Sequence, residues 1–348
     1  MIDVSDLVSR LEIISAYCRP LDKALFVILS TSVESHFSSY FGGVRTSEYF
    51  VSLSLVNISQ SELEVLGSVI SLYCDYVVVD TEKKHPFDFS ENPFNESAPC
   101  LYSNLLSAAH DIFPTHKIIP WSPSRLTSES AINTVRLAHD NDLSGLQATV
   151  IGPGSIGFKI ALGLVEEGVT THMFSRNISR SASLVSAINA VKSPYTIASA
   201  VQATSLDAAF ATSTCMILSA SSRGYVNSRH LMCLPNKSTY ILDVGKASLD
   251  SEAKNLLIKL RRITYQRLDI SRELHILLSS YLDLRKASSC TYGPKCGPHP
   301  YLAGVRIISG GFPGMPTDII VDDAESPVFM LGYIDSIGGY IPKFGRIE

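Results

Sequence analysis

Apolar residues along this chain fall into short unbroken runs separated by stretches with helical spacing, an alternation that predicts an α/β protein with mostly parallel sheets. Val4 to Tyr17 carries its apolar positions at helical intervals. Lys23 to Ser30, with Ala-Leu-Phe-Val-Ile-Leu inside it, reads as a strand buried on both faces. Glu48 to Leu55 predicts another strand, Ser59 to Tyr73 a helix opened by a Ser/Glu capping pattern, and Tyr76 to Asp80 a third strand. A polar stretch rich in Pro, Asn and Phe runs from Thr81 to Pro99. Cys100 to Ile112 then predicts a helix and Lys117 to Trp121 a short strand. After the junction Pro120-Trp-Ser-Pro123-Ser, Thr127 or Ser128 can cap a helix that continues to His139.

The second half repeats the alternation. Strands are predicted at Leu146 to Ile151, Val169 to Phe174, Tyr195 to Ala198, Cys215 to Ser219, Thr239 to Gly245, Ile263 to Asp269 and Gly304 to Ile308. Helices are predicted from Gly157 to Glu167, from Ser179 to Val191, as a turn at Ser205 to Ala211, from Ser271 to Lys286 and from Ser326 to Ile337. The expected organisation is an α/β substrate domain over residues 1–125 and a doubly wound, Rossmann-type domain over residues 126–325. A C-terminal helix within residues 326–348 should rejoin the first domain.

The chemistry centres on Ala148-Thr-Val-Ile-Gly152-Pro-Gly154-Ser155-Ile156-Gly157-Phe158. Gly152, Gly154 and Gly157 have the G-x-G-x-x-G spacing between a strand and a helix. Such a motif needs one glycine for the tight turn, one for close approach of a pyrophosphate and one for helix–strand packing. The amides of Ser155, Ile156 and Gly157 lead the helix and can hold phosphate. The tip of the next strand selects the cofactor. Instead of the acidic residue that suits the 2′-hydroxyl of NAD, it carries Ser175-Arg176-Asn177 followed by Arg180. A hydroxyl and planar guanidinium donors suit a 2′-phosphate, so NADP is expected over NAD.

Further candidates lie where predicted strands end, the side on which parallel sheets bind ligands. Ser219, Ala220 and Ser221 follow one strand; Asp243 and Lys246 follow another, and Asp243 can alternatively cap the next helix. The polar stretch after Asp80 contains Lys83, Lys84, His85 and Asp88, either a solvated loop or a source of acid–base groups. Lys84 and His85 are the leading catalytic candidates, ahead of Asp243 and Lys246. Asp318, Asp322 and Asp323 read as a solvated edge that could also take a metal or an amino group. The glycine- and proline-rich stretch Ser309 to Pro316 reads as turns, or as a cleft lining.

Composition narrows the classes. The 348 residues suit two domains, and 45% hydrophobic residues with a mean hydropathy of +0.18 suit strands covered on both faces. A formal charge of −4 without basic blocks gives no footprint for nucleic acid. No apolar run is long enough to span a bilayer, and the N-terminus lacks a signal-peptide pattern, so a cytoplasmic protein is expected. The seven cysteines are odd in number and form no C-x-x-C; Cys290, Cys296 and His299 match no standard metal spacing, and no metal is expected.

Residues 121–270 resemble the nucleotide domain of the two-domain dehydrogenases that include methylene-tetrahydrofolate dehydrogenase, shikimate dehydrogenase and glutamyl-tRNA reductase. The likeness is carried by the linker helix before Leu143-Ser-Gly-Leu, by Val150-Ile-Gly-Pro-Gly-Ser-Ile-Gly, by Ser175-Arg176, and by Ile241-Leu-Asp-Val-Gly245 with Leu249-Asp250. Ile263-Thr-Tyr-Gln-Arg-Leu-Asp269 matches a strand of the reductase. The reductase's nucleophilic cysteine, the shikimate enzyme's Lys and Asp pair and the folate enzyme's signature peptides have no counterparts here. What the resemblance implies is a substrate domain, then a cofactor domain, with a cleft between them and a C-terminal helix packed on the first. The expected function is hydride transfer between NADP and a small polar substrate (a carbonyl, imine, or amino or hydroxy acid) by a homo-oligomer, a homodimer first. Two alternatives stand beside it: an enzyme of lyase or cyclodeaminase type that uses a tightly bound nucleotide transiently, and a non-catalytic NADP sensor.

Overall fold

The computed structural model describes residues 2–30, 38–82, 105–245, 247–290, 295–296, 306–308, 318–323, 326–335 and 340–347. Two compact units result, Met1–Leu274 and His275–Glu348.

The first unit opens with α1 (Val4–Cys18), β1 (Ala24–Ser30), β2 (Tyr40–Thr46), β3 (Phe50–Val56), α2 (Gln60–Tyr73), β4 (Tyr76–Asp80), α3 (Leu105–Ile112) and β5 (Ile118–Trp121). These form a sheet in the order β2-β3-β1-β4-β5, parallel throughout except for β2 at the edge. Five consecutive residues of β1, Leu25 to Leu29, are buried, as a central parallel strand requires. Leu25, Val27 and Leu29 face Leu7 and Leu11 of α1 and Leu63, Leu66 and Ile70 of α2 in one apolar core. Each such side chain contributes about 1.5–3 kcal/mol when fully withdrawn from water. The capping box of α2 is present: Ser59 accepts from the Glu62 amide, and Glu62 accepts from the Ser59 amide at 3.0 Å.

Helix α4 (Pro123–Ala138) leads to the second sheet. Its cap is Ser122, with Pro123 in the first turn, rather than Thr127 or Ser128. Those two lie inside the helix and turn their hydroxyls onto the carbonyls of Pro123 and Arg125. Proline's preference for the first helical position explains the earlier start.

Next come β6 (Gln147–Ile151), α5 (Ser155–Glu166), β7 (Thr170–Phe174), α6 (Ile178–Val191), β8 (Ala200–Gln202), α7 (Leu206–Thr212), β9 (Cys215–Leu218), α8 (Ser228–Met232), β10 (Thr239–Asp243), α9 (Ser251–Lys259) and β11 (Ile263–Arg267). Their order is β11-β10-β9-β6-β7-β8, every pair parallel. This is the doubly wound Rossmann order: the chain starts at the centre, works outward to β8 and returns to add β9 on the other side. Cys215 and Ile217 of β9 belong to the core under α5, whereas Met216 and Leu218 belong to the core under α9. The strand expected at Tyr195 to Ala198 is absent. Tyr195 and Ile197 are 93% and 100% exposed, and pairing begins at Ala200 instead.

Helix α10 (Ser271–Cys290) leaves this sheet, and Ser130 and Asn133 of α4 donate to its buried Glu273. In the second unit, β12 (Lys295–Cys296), β13 (Arg306–Ile308), β14 (Ile319–Val321), β15 (Phe329–Ile334) and β16 (Tyr340–Arg346) form a sheet in chain order. The helix expected over Ser326 to Ile337 is therefore strand β15, antiparallel to both neighbours. Gly332 disfavours a helix there and lets the Ile341 carbonyl approach, since a Cβ would lie 2.3 Å from that oxygen. Asp322 accepts from the Val328 and Phe329 amides at 3.0 Å, so it staples the turn before β15. No helix among the described residues is long and apolar enough to cross a membrane.

Candidate functional site at the strand-order reversal

Strand order in the second sheet reverses between β6 and β9, the switch point at which doubly wound sheets leave a crevice outside the carboxyl ends of their strands. Gly152 follows β6 with a left-handed φ of +82°, and a Cβ there would lie 2.5 Å from the backbone N and Cα of Ala220 after β9. Only glycine allows that contact. Gly157 packs as closely: a Cβ would meet Ser219 Oγ at 2.5 Å and the Gly152 carbonyl at 2.7 Å. Gly154 differs, because a Cβ there would stand in open space. Apart from Gly154 and its two chain neighbours, no atom of the described residues lies within 4 Å of that position.

The start of α5 also differs from those of seven other helices. Asp3, Ser59, Ser122, Asn177, Ser205, Asn227 and Asp250 each cap a helix with a side-chain oxygen, but at α5 the N-cap is Gly154 and no side chain bonds the first turn. Ser155 is exposed and Ile156 half-buried, so the amide end of the helix faces outward. Leading amides without a capping oxygen are the donors that an anion takes.

At the tip of β7, Ser175 Oγ accepts from the Asn177 amide at 3.3 Å, while Asn177 caps α6 by accepting from the Arg180 amide at 3.0 Å. Asn177 is thus occupied by its helix. Arg176 and Arg180 are exposed and make no side-chain hydrogen bond or ion pair with the described residues. Ser219 turns its hydroxyl inward, 3.0 and 2.9 Å from the carbonyls of Ile151 and Gly152, so it braces the glycine turn, while Ser221 is exposed. Ala220 contributes backbone, lying between Gly152 and Gly245.

Asp243 at the end of β10 is 1% exposed and does not cap the next helix, a task taken by Asp250. It accepts from the Ser248 amide at 3.2 Å, Ser248 Oγ at 2.6 Å and the Tyr265 hydroxyl at 2.8 Å. Burial, together with the bond to Asp243, pushes the Tyr265 phenol above its ordinary range. Lys83, Lys84, His85, Asp88 and Lys246 lie outside the described residues, as do His299 and the stretch Ser309 to Pro316. No group of three or more His, Cys, Asp or Glu able to hold a metal occurs among the described residues.

Solved structures similar to the chain include three of low identity. A D-isomer specific 2-hydroxyacid dehydrogenase from Xanthobacter autotrophicus Py2 is 17% identical, over 46% of this chain and 58% of that one, with a TM-score of 0.33. Salmonella D-lactate dehydrogenase is 14% identical over 70% and 78%, with a TM-score of 0.36. A phosphoglycerate oxidoreductase from Vibrio cholerae is 13% identical over 70% and 83%, with a TM-score of 0.33. The chain spans less than two thirds of the Xanthobacter enzyme's length. No protein-family model and no curated protein matches the chain. Likeness at these scores carries no argument, and the fold rests on the strand order itself. None of the three is a methylene-tetrahydrofolate, shikimate or glutamyl-tRNA enzyme, the families whose motifs the sequence resembles.

Sequence reasoning missed one cluster beside the crevice. Glu82, just past β4, accepts from Ser122 Oγ, from Ser124 Oγ and from the Ser124 amide at 3.1 Å. Lys159 of α5 donates to Ser124 Oγ, and its ammonium lies 4.0 Å from Glu82. Ser122 before Pro123 could have been read as a cap. The ion pair, formed between polar residues of different elements, has no local signal.

Proposed function

We propose that this protein is an NADP-dependent oxidoreductase that transfers hydride to or from a small polar substrate. The observation that carries the reading is the crevice at the strand-order reversal, where an uncapped helix start, open space at Gly154 and a left-handed Gly152 meet. The residues fit the cofactor: the amides of Ser155, Ile156 and Gly157 would hold the diphosphate, and Arg176 with Arg180 would hold the 2′-phosphate. Bound there, the nicotinamide supplies the hydride, and the protein's part is orientation and proton supply. Ser219 fixes the turn from behind through its contacts with the carbonyls of Ile151 and Gly152. Lys84, His85 and Lys246 remain the proposed acid–base groups. Asp243, already engaged by three donors, is better suited to shaping the loop that carries Lys246 than to exchanging a proton.

Titration of wild type and Arg176→Ala with NADPH and NADH tests the assignment. A charge-assisted bond contributes about 1.5–3 kcal/mol, so the substitution should weaken NADPH binding roughly tenfold to a hundredfold and leave NADH unchanged. Equal affinity of wild type for the two nucleotides would remove the NADP assignment. Failure to bind either would remove the oxidoreductase reading.

A further inference from the structure

The cluster of Glu82, Ser122, Ser124 and Lys159 joins two parts of the first unit that the cofactor reading leaves separate. Lys159 stands one turn into α5, the helix whose leading amides receive the diphosphate in that reading. A helical side chain tilts toward the N-terminus of its helix, which brings the ammonium group toward the ligand end rather than away from it. Its partner Ser124 is 5% exposed and belongs to the first turn of α4. The Ser124 hydroxyl accepts from Lys159 and donates to Glu82, so one oxygen passes the contact from one sheet's helix to the other sheet's carboxyl edge.

Glu82 is held from several sides. Ser122 Oγ and the Ser124 amide also donate to it, and its own amide donates to Asp80 at 2.7 Å. It is the last described residue before the stretch that carries Lys84 and His85. The Lys159 and Glu82 side chains are 40% and 25% exposed, and a pair so open to water adds little to stability. What such a pair fixes is geometry.

We propose that Lys159 is a positioning residue that transmits occupancy of the glycine turn through Ser124 to Glu82, and so to the carboxyl edge of the first sheet. The inference rests on nucleotide binding at that turn. Displacement of α5 on binding is passed to the root of the stretch that supplies the candidate acid–base groups. The neighbouring backbone is tied to the same point: the amide and hydroxyl of Thr81 both donate to the Trp121 carbonyl at 3.0 Å.

Trp121 makes this testable, because it is the single tryptophan of the sequence, is 7% exposed and directly precedes Ser122. The full-length protein is titrated with NADP+, with binding read by calorimetry and coupling by Trp121 emission. Wild type should bind and change its emission as it saturates. Lys159→Met should bind within about threefold of wild type but lose the emission change, and Lys159→Arg should restore it. A merely structural role predicts lower stability in the Met variant with the emission response intact. That outcome, a silent Trp121 in nucleotide-bound wild type, or an Arg variant as silent as the Met variant would overturn the inference while sparing the nucleotide reading. Absence of NADP+ binding to wild type would overturn both.

Discussion

The two parallel sheets of the first unit treat their carboxyl edges in opposite ways. At the edge of β3, β4 and β5, the helix starts are closed by carboxylates and hydroxyls: Ser59 and Glu62 on α2, Ser122 and Glu82 on α4. At the edge of β6 and β7, the start of α5 carries no capping side chain, and two guanidinium groups without a partner among the described residues stand beyond the next strand. Both edges carry helix starts; α2 and α4 at the first and α6 at the second are capped by side chains, and α5 is not. On the proposed reading, the anion goes to the uncapped start of α5. The architecture is shared, and a few residues set the start of α5 apart from those of α2 and α4.

The largest effect expected is from Gly152→Val. A branched side chain at φ +82° that must also displace the Ala220 backbone should cost about 4 kcal/mol in denaturant unfolding and abolish NADPH binding. Asp243→Ala should come next. It leaves the Tyr265 hydroxyl and the Ser248 amide and hydroxyl without their acceptor, lowering stability by about 3 kcal/mol, which chemical denaturation would show. An unchanged midpoint would mean that the open edge does not depend on this buried carboxylate.

Gly154→Asp is the most direct attack on the contrast, because it gives α5 the kind of cap the other helices have. The backbone there is extended, with φ −79° and free space, so stability should hold or rise by a few tenths of a kcal/mol. NADPH affinity should fall by about 2 kcal/mol, roughly thirtyfold, measured by fluorescence titration. Retained affinity would break the argument that the empty cap is the phosphate site.

The smallest effect concerns acid. Burial holds His172 of β7 and His230 of α8 below the usual imidazole range, and both lie in the second-sheet half. With folded-state pKa values depressed, the unfolded chain binds more protons, so stability is full above about pH 6.5 and declines as the pH falls below it. His172→Gln should flatten that limb of a pH–stability profile by less than about 1 kcal/mol.

Central strands were legible from sequence because burial on both faces writes an unbroken apolar run: Tyr76 to Asp80 matches β4 end to end. The edge strands β2 and β8 were not, whereas β5 and β11, also at sheet edges, match their predicted runs within two residues. Strand β2 is Tyr-Phe-Gly-Gly-Val-Arg-Thr, mostly exposed and broken by an irregularity between Phe41 and Val44, so it carries no apolar alternation. Strand β8 has three residues, too few to establish a period, and the more apolar Tyr195 to Ala198 drew the assignment instead. In the second unit, Val-Phe-Met-Leu-Gly-Tyr-Ile fits a short helix or a strand equally well, and pairing with β14 and β16 decides it. The glycine turn was legible because each of its glycines answers a local requirement. The contact from Lys159 to Glu82 was not, since it depends on how α4 brings the two sheets together.

The central placement of β6 has a consequence for synthesis. A nascent chain can pair β6, β7 and β8 as soon as that segment leaves the ribosome, but Ser219 and Ala220, which back the Gly152 turn, emerge only afterwards with β9. Until then the glycine turn lacks its rear wall. On the proposed reading, the cofactor can thus assist only the closing stage of folding, when the returning half of the sheet has docked.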